Sequence, residues 1–404
     1  MHEGIEKRRI NLFEPTVDGH RSRYLGEIIR GIRQRHPDCL MRLCILEAQR
    51  STSGYREFLR PLEPMVEYCP LPDIRMRGRF AEEYSRLKML RYCLTKFPCD
   101  DVVIPYGDGL LPLMGVFPQW LLRRFVPSGI RMESMLFRPE WVYPSPRWKQ
   151  WIYHRIRRWA ICRWPGNRLH LADDNAFERS VDGIDNYHAT VSKVPEVFDS
   201  WHLTQRAPAL QWLCDQEYLP WESIAKLEKF PVISAPGDPS LRKGTVELIQ
   251  AFLMNVGLDA QLVIWGGIPG AVDQELKARG VPWREDKRIV IIEKYVTEEA
   301  FRKLFSISDL VILPYQSHLG GVSSLFLLSA IFMLKTICDQ RAWLGWASKH
   351  YGHGRSIDCS NVELLSRSIQ EALQGQSVPI ASKQVAMELR RETMEGGFRG
   401  SWCL

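Results

Sequence analysis

The chain has 404 residues, 45% hydrophobic and 25% charged, with a formal net charge of +7 at pH 7. That length suits two domains of roughly 150–200 residues better than one core, and the balance excludes a disordered chain. No apolar run reaches the roughly 18–20 residues of a membrane span.

The opening MHEGIEKRRINLF carries cations without a long apolar stretch behind them, so no secretory signal is expected. Ten scattered cysteines, with no CxxC pair, read as buried free thiols in a reducing cytoplasm, not as a zinc site or a disulfide scaffold. The charge is uneven: residues 1–227 hold 34 Lys+Arg against 28 Asp+Glu, and residues 228–404 hold 20 against 19. A basic first half suits an anionic partner such as a membrane surface, a phosphorylated lipid or a polyanionic glycan. With no zinc-finger spacing, RNA-binding aromatic signature or basic zipper, nucleic acid is not expected as a partner.

In chain order, RINLFEP predicts a strand and TVDGH a turn. Tyr24, Leu25, Ile28, Ile29 and Ile32 then recur at helical spacing, which predicts a helix packed on a sheet. LMRLCILEA reads as the next parallel strand, and DDVVIPYGDGLLPLMGVF as a central strand ending in a glycine loop. This alternation predicts a doubly wound α/β domain. In PYGDG, Asp108 falls at the carboxyl end of a strand, where α/β ligand sites gather. It could orient a ligand hydroxyl, act as a base, or cap its own loop. Arg138 and Glu140 in LFRPE are weaker candidates.

Residues 144–166 (PSPRWKQWIYHRIRRWAICRWPG) interrupt that pattern, with six Arg or Lys and no acid between Arg147 and Arg163. Trp148, Ile152, Ile156 and Trp159 share one helical face, with Lys149, Arg155 and Arg158 largely off it. Two readings fit: a helix lying on an anionic membrane through 147–164, or one that buries its tryptophans and solvates its arginines. After the strand-and-loop VSKVPEVFDSW and the polar helix WESIAKLEKF, a border falls near Pro231.

The second half is denser in signals. VISAPGDPSLRKGTVELIQAF is a strand, a turn bearing Arg242-Lys243-Gly244 and a helix. LVIWGG is a strand ending in Gly266-Gly267, where a ligand can approach the backbone. IVIIEKYVTEEAF carries Lys294 and Tyr295. DLVILPYQSHLGGVSSLFLLSAIF runs from a strand through Gly320, Gly321, Val322, Ser323 and Ser324 into an apolar helix. Its start is either an anion site or a glycine loop with a serine N-cap. TICDQRAWLG adds a further strand and loop.

Together these segments resemble the donor-binding half of a nucleotide-sugar glycosyltransferase of the GT-B type, similar to family 4. The resemblance implies an α/β fold of two Rossmann-like doubly wound domains facing a cleft. Residues 1–227 would form the acceptor-side domain and 228–375 the donor domain, with a helix and tail over 376–404 returning to the first. It places Lys243, with Arg242, on the donor diphosphate together with Gly320, Gly321, Val322, Ser323 and Ser324. Gly266, Gly267, Lys294 and Tyr295 would lie by the nucleotide, and Gly19 and His20 in an acceptor-side loop. His20 and Asp108 are the catalytic candidates.

Two departures stand out. Asp238 follows Gly237 where the family places an arginine. The family's paired glutamates are missing too: Ser329-Ala330 holds the second position, while Gly321 or His318 falls at the first, with His318 a candidate sugar contact. The expected activity is transfer of a sugar from a nucleotide-diphosphate donor to a glycan, lipid-linked or other hydroxyl acceptor. Retention of configuration is expected, with no metal or bound cofactor. The expected location is cytoplasmic, peripheral at the inner face of the membrane. The alternatives are a non-catalytic nucleotide-sugar-binding or scaffold protein, or an epimerase on the same fold.

Overall fold

The computed structural model describes residues 7–17, 20–74, 79–139, 142–143, 148–181, 189–193, 202–316 and 321–394. The chain divides into two compact units, residues 1–197 with 392–404, and residues 198–391.

The first unit is built on β1 (Arg9–Phe13), β2 (Leu40–Leu46), β3 (Glu67–Leu71), β4 (Asp101–Ile104), β5 (Arg131–Leu136), β6 (Arg168–Leu171) and β7 (Thr190–Lys193). They form one parallel sheet in the order β3-β2-β1-β4-β5-β6-β7. Ile10 pairs with Met41 on one side and with Asp101 on the other. Ile10, Leu12 and Phe13 are buried, as expected of a central strand covered on both faces. The helix His20–Arg35 buries Tyr24, Leu25, Ile28, Ile29 and Ile32, the set read from its spacing. The sheet grows outward from β1 to β3 and resumes at β4, so its switch point, where ligands gather in such sheets, lies between β1 and β4.

The helix Trp148–Cys162 packs against the helix Leu110–Val116. A Cβ on Gly115 would stand 1.7 Å from the Ala160 carbonyl oxygen, so only glycine allows this approach. Arg157, Ala160 and Ile161 face inward and are buried. Trp148, Ile152, Ile156 and Trp159 face outward and are 68%, 41%, 53% and 50% exposed, which removes the reading in which this helix buries that face.

The second unit repeats the plan. Its strands are β8 (Val232–Ala235), β9 (Gln261–Trp265), β10 (Ile289–Ile292), β11 (Leu310–Leu313), β12 (Lys335–Asp339) and β13 (Arg355–Ile357). All pair in parallel, in the order β10-β9-β8-β11-β12-β13, with the switch point between β8 and β11. Ile233, Leu262, Ile264, Leu310, Ile312 and Ile337 form the buried centre, covered by Phe252, Leu276, Leu365 and Ile369 from flanking helices. Residue 228 falls inside the helix Ile224–Lys229, which lies in this unit with the helix Arg206–Asp215. Arg206 holds the latter in place, donating to the Ile307 carbonyl at 2.7 Å and pairing with Asp309. At the other end, Glu392–Leu404 groups with the first unit, where Lys193 lies 3.2 Å from both Asp174 and Glu392.

Candidate functional site

The switch point of the second unit is lined by residues from three loops. After β8, Gly237 takes a φ of 86°, and a Cβ there would meet the Lys243 ammonium at 2.6 Å. A short 3-10 turn, Leu241–Lys243, follows, begun by Ser240, whose Oγ accepts from the Lys243 amide at 3.2 Å. Gly244 is left-handed, φ 68°, and its missing Cβ would lie 1.9 Å from the Pro314 carbonyl oxygen after β11. The Gln316 amide donates to the Arg242 carbonyl at 2.8 Å, completing the join between the two loops. The helix Thr245–Met254 then starts directly behind Lys243, its amide end adding positive potential.

Lys243 is the electrostatic centre of this arrangement. Its ammonium makes no hydrogen bond or ion pair among the described residues. Burial pulls its pKa down to about 8, with Asp238 opposing the shift and Arg242 adding to it. A desolvated cation without a direct ion-pair partner is a standing anion site. Pro236, Gly237, Pro239, Thr245, Pro314 and Tyr315 line the small pocket around it.

The neighbouring candidates fall in different places. Gly266, φ 117°, has no room for a Cβ, which would stand 2.7 Å from Pro239, so the LVIWGG loop packs on the Lys243 loop. Gly267 has open space instead. Lys294 donates to the Gln216 carbonyl at 2.7 Å and lies over Tyr218 at 5.0 Å. Tyr295 is 47% exposed, and its carbonyl accepts from the Tyr218 hydroxyl at 3.2 Å. Gly321 has a φ of 136°, and Val322 and Ser324 are half-buried. Ser323 is the N-cap of the helix Ser324–Ile331, accepting from Phe326 at 3.4 Å. Its hydroxyl also lies 3.5 Å from that of Tyr315, a residue sequence reasoning passed over. His318, Gly320, Gly19 and Glu140 lie outside the described residues, and His20 begins its helix.

Ser329, at the second glutamate position, is fully buried and faces the protein interior. Its hydroxyl donates to the Phe326 carbonyl at 2.7 Å and lies 3.2 Å from His353 Nε2. His353 also meets Thr336 at 3.1 Å, and its Nδ1 accepts from the Ala381 amide at 3.1 Å. That acceptor role requires a neutral ring, and burial holds the pKa at about 4. The serine is thus one corner of a packed polar network.

At the first unit's switch point lies a cavity of about 730 Å³. Thr16 from the end of β1, Tyr106 and Asp108 after β4, and Arg138 after β5 line it, with Arg21, Arg86 and Arg157 from helices. Asp108 is buried, its Oδ1 accepting from the amides of Arg138 at 2.8 Å and Phe137 at 3.2 Å. Burial raises its pKa. The carboxylate thereby ties the ends of β4 and β5 together while facing the cavity. Arg21, Arg86 and Arg157 carried no local motif; only the switch-point rule, applied to a known strand order, points to them.

Two parallel sheets of Rossmann order, each with loops gathered at its switch point, define the class: the chain has the GT-B fold. Sucrose-phosphate synthase of Thermosynechococcus elongatus is similar to it over 97% of this chain and 96% of its own, with a TM-score of 0.69 and 12% identity. Anabaena HepE in complex with UDP-glucose is similar over 97% of each chain, with a TM-score of 0.66 and 11% identity. The α,α-trehalose-phosphate synthase (UDP-forming) of Burkholderia vietnamiensis covers 99% of this chain and 98% of its own, with a TM-score of 0.63 and 14% identity. No family model matches the sequence, and no curated protein matches it.

Proposed function

We propose that this protein is a glycosyltransferase that takes a sugar from a nucleotide-diphosphate donor held by the second unit. The observation that carries the reading is Lys243: a desolvated, unpaired ammonium at a switch point, beside Gly237 and ahead of a helix. A leaving diphosphate gains negative charge as the glycosidic bond breaks, and a fixed cation and helix amides stabilise that charge. Likeness in fold to proteins crystallised with UDP and UDP-glucose supports a nucleotide sugar as donor. Arg242 flanks the phosphates, with residues 320–324 supplying further amides, and Gly266, Gly267, Lys294 and Tyr295 border the nucleotide. In the first unit, Asp108 orients the acceptor hydroxyl and His20, beside Gly19, assists it. The reaction retains configuration, as the family resemblance implies.

Calorimetry with uridine, guanosine and adenosine diphosphates tests the donor site, and donor turnover tests catalysis. Lys243→Ala is expected to lower turnover several hundred-fold, on the order of 3–4 kcal/mol; unchanged turnover rejects the assignment. A second reading, a non-catalytic nucleotide-sugar binder, is favoured by the absence of carboxylates at Gly321 and Ser329. Nucleotide binding without any hydrolysis or transfer would select it.

We also infer that the helix Trp148–Cys162 rests on an anionic membrane surface from the cytoplasmic side. Its outward face combines exposed Trp148, Ile152, Ile156 and Trp159 with Arg155 and Arg158. The flat aromatics and bordering cations match an interfacial helix.

A further inference from the structure

We infer that the first unit's cavity binds an amphiphile with a phosphate-bearing head, and that this is the class of acceptor. The word acceptor rests on the glycosyltransferase reading above; the binding assignment stands on the cavity itself. Its volume of about 730 Å³ is that of a small-molecule site. Four arginines reach it, and three are anchored. Arg21 and Arg86 lie 3.5 and 3.7 Å from Glu14, and Arg157 donates to the Asp108 carbonyl at 2.7 Å. The guanidinium of Arg138 makes no hydrogen bond or ion pair among the described residues. Three acids share the lining: Asp108 accepts from two backbone amides, Glu83 lies 3.9 Å from Arg86, and Glu82 is exposed to solvent. An anchored arginine cluster with one uncommitted fork recognises a phosphate through paired N–H donors.

The lining also has an apolar part: Leu113, Val116, Phe117, Tyr153 and Ile156. Val116, Tyr153 and Ile156 belong to the cavity and are also exposed, at 47%, 41% and 53%. Ile156 belongs both to the cavity lining and to the exposed face of the helix Trp148–Cys162, so the apolar lining meets that face there. A water-soluble sugar gains nothing from such an edge, whereas a hydrocarbon tail does. Head inside, tail along the helix, is the pose that uses both parts of the lining.

The test is calorimetric titration of the full chain with monomeric farnesyl phosphate, farnesol and inorganic phosphate. Farnesyl phosphate is expected to bind at least about 10-fold more tightly than either fragment. Arg138→Gln is expected to weaken it about 10- to 100-fold, the loss of a charge-assisted hydrogen bond. Val116→Asp, at a position open to solvent, is expected to weaken it as well, with circular dichroism confirming that both variants fold. Equal affinity for farnesol, equal affinity for inorganic phosphate, no binding, or an unchanged Arg138→Gln variant each overturns the assignment. A chain that binds farnesyl phosphate but no nucleoside diphosphate sinks the glycosyltransferase reading and leaves this one standing.

Discussion

Because the Lys243 ammonium is desolvated, with a pKa of about 8, its protonation should be coupled to binding of a nucleoside diphosphate. A bound diphosphate returns a counter-charge to the site and drives that pKa back toward or above the ordinary lysine value of about 10.4. Free protein is then about half protonated at pH 8 and about one-tenth at pH 9, while the complex stays protonated, so binding takes up about 0.5 and about 0.9 protons. The sign follows: the cationic form dominates below pH 8, and affinity falls as pH rises through it, about 10-fold between pH 7 and pH 9. The terminal phosphate titrates near pH 6, clear of this window. Uridine diphosphate titrated at pH 8 and 9 in two buffers of different ionisation enthalpy reads the proton uptake directly. Lys243→Met should abolish both the uptake and the slope. Binding with no proton uptake, or uptake that survives Lys243→Met, refutes the claim that this ammonium meets the diphosphate.

Other outcomes follow from single contacts. Gly244→Ala forces a Cβ within 1.9 Å of the Pro314 carbonyl at a φ of 68°; backbone strain alone costs about 1–3 kcal/mol, and thermal unfolding should show a drop of several degrees. His353, held neutral at about 4 by burial, takes up protons on unfolding below about pH 6.5. Stability is full above that and is lost as pH falls toward 4, by about 2–3 kcal/mol at pH 4.5. Urea unfolding at pH 7 and 4.5 measures this, and His353→Gln should flatten the dependence. Vesicles of phosphatidylglycerol, not phosphatidylcholine, should co-sediment the protein in a salt-sensitive way. Arg155→Gln and Arg158→Gln should each weaken that about 5-fold, and Trp148→Ser with Trp159→Ser should remove it. Vesicle binding indifferent to the tryptophans would refute the interfacial helix and leave charge attraction alone.

The strands that could be read from sequence are the continuous apolar ones: β1, β2, β4 and most of the second sheet, covered on both faces. β3 hides behind Pro70, tolerated at the edge of the sheet. β5 and β6 hide behind Glu133 and His170, whose side chains meet at 3.2 Å in the interior only once the two strands pair. At the candidate site, Lys243, Gly244 and Gly266 are legible because local turn chemistry demands them. The arginines of the first cavity are not, because Arg21, Arg86, Arg138 and Arg157 meet only through the strand order. Ser329 could be read as a missing carboxylate, but its tie to His353 could not, since no spacing rule links residues 24 apart on a helix and a loop.

The backbone contact between Gly244 and the Pro314 carbonyl, with the Gln316 amide on Arg242, has a kinetic and evolutionary side. It joins two loops some seventy residues apart into one rigid piece, so the entropy of arranging that wall is spent at folding and not charged again at each turnover. Substitutions at residues 242–244 and 314–316 should be strongly non-additive, each permissible only in the company of the other. Gly257 and Gly270, where an added Cβ meets nothing, carry no such bond to a partner. Drift and insertion are free to accumulate there while the joined loops stay fixed.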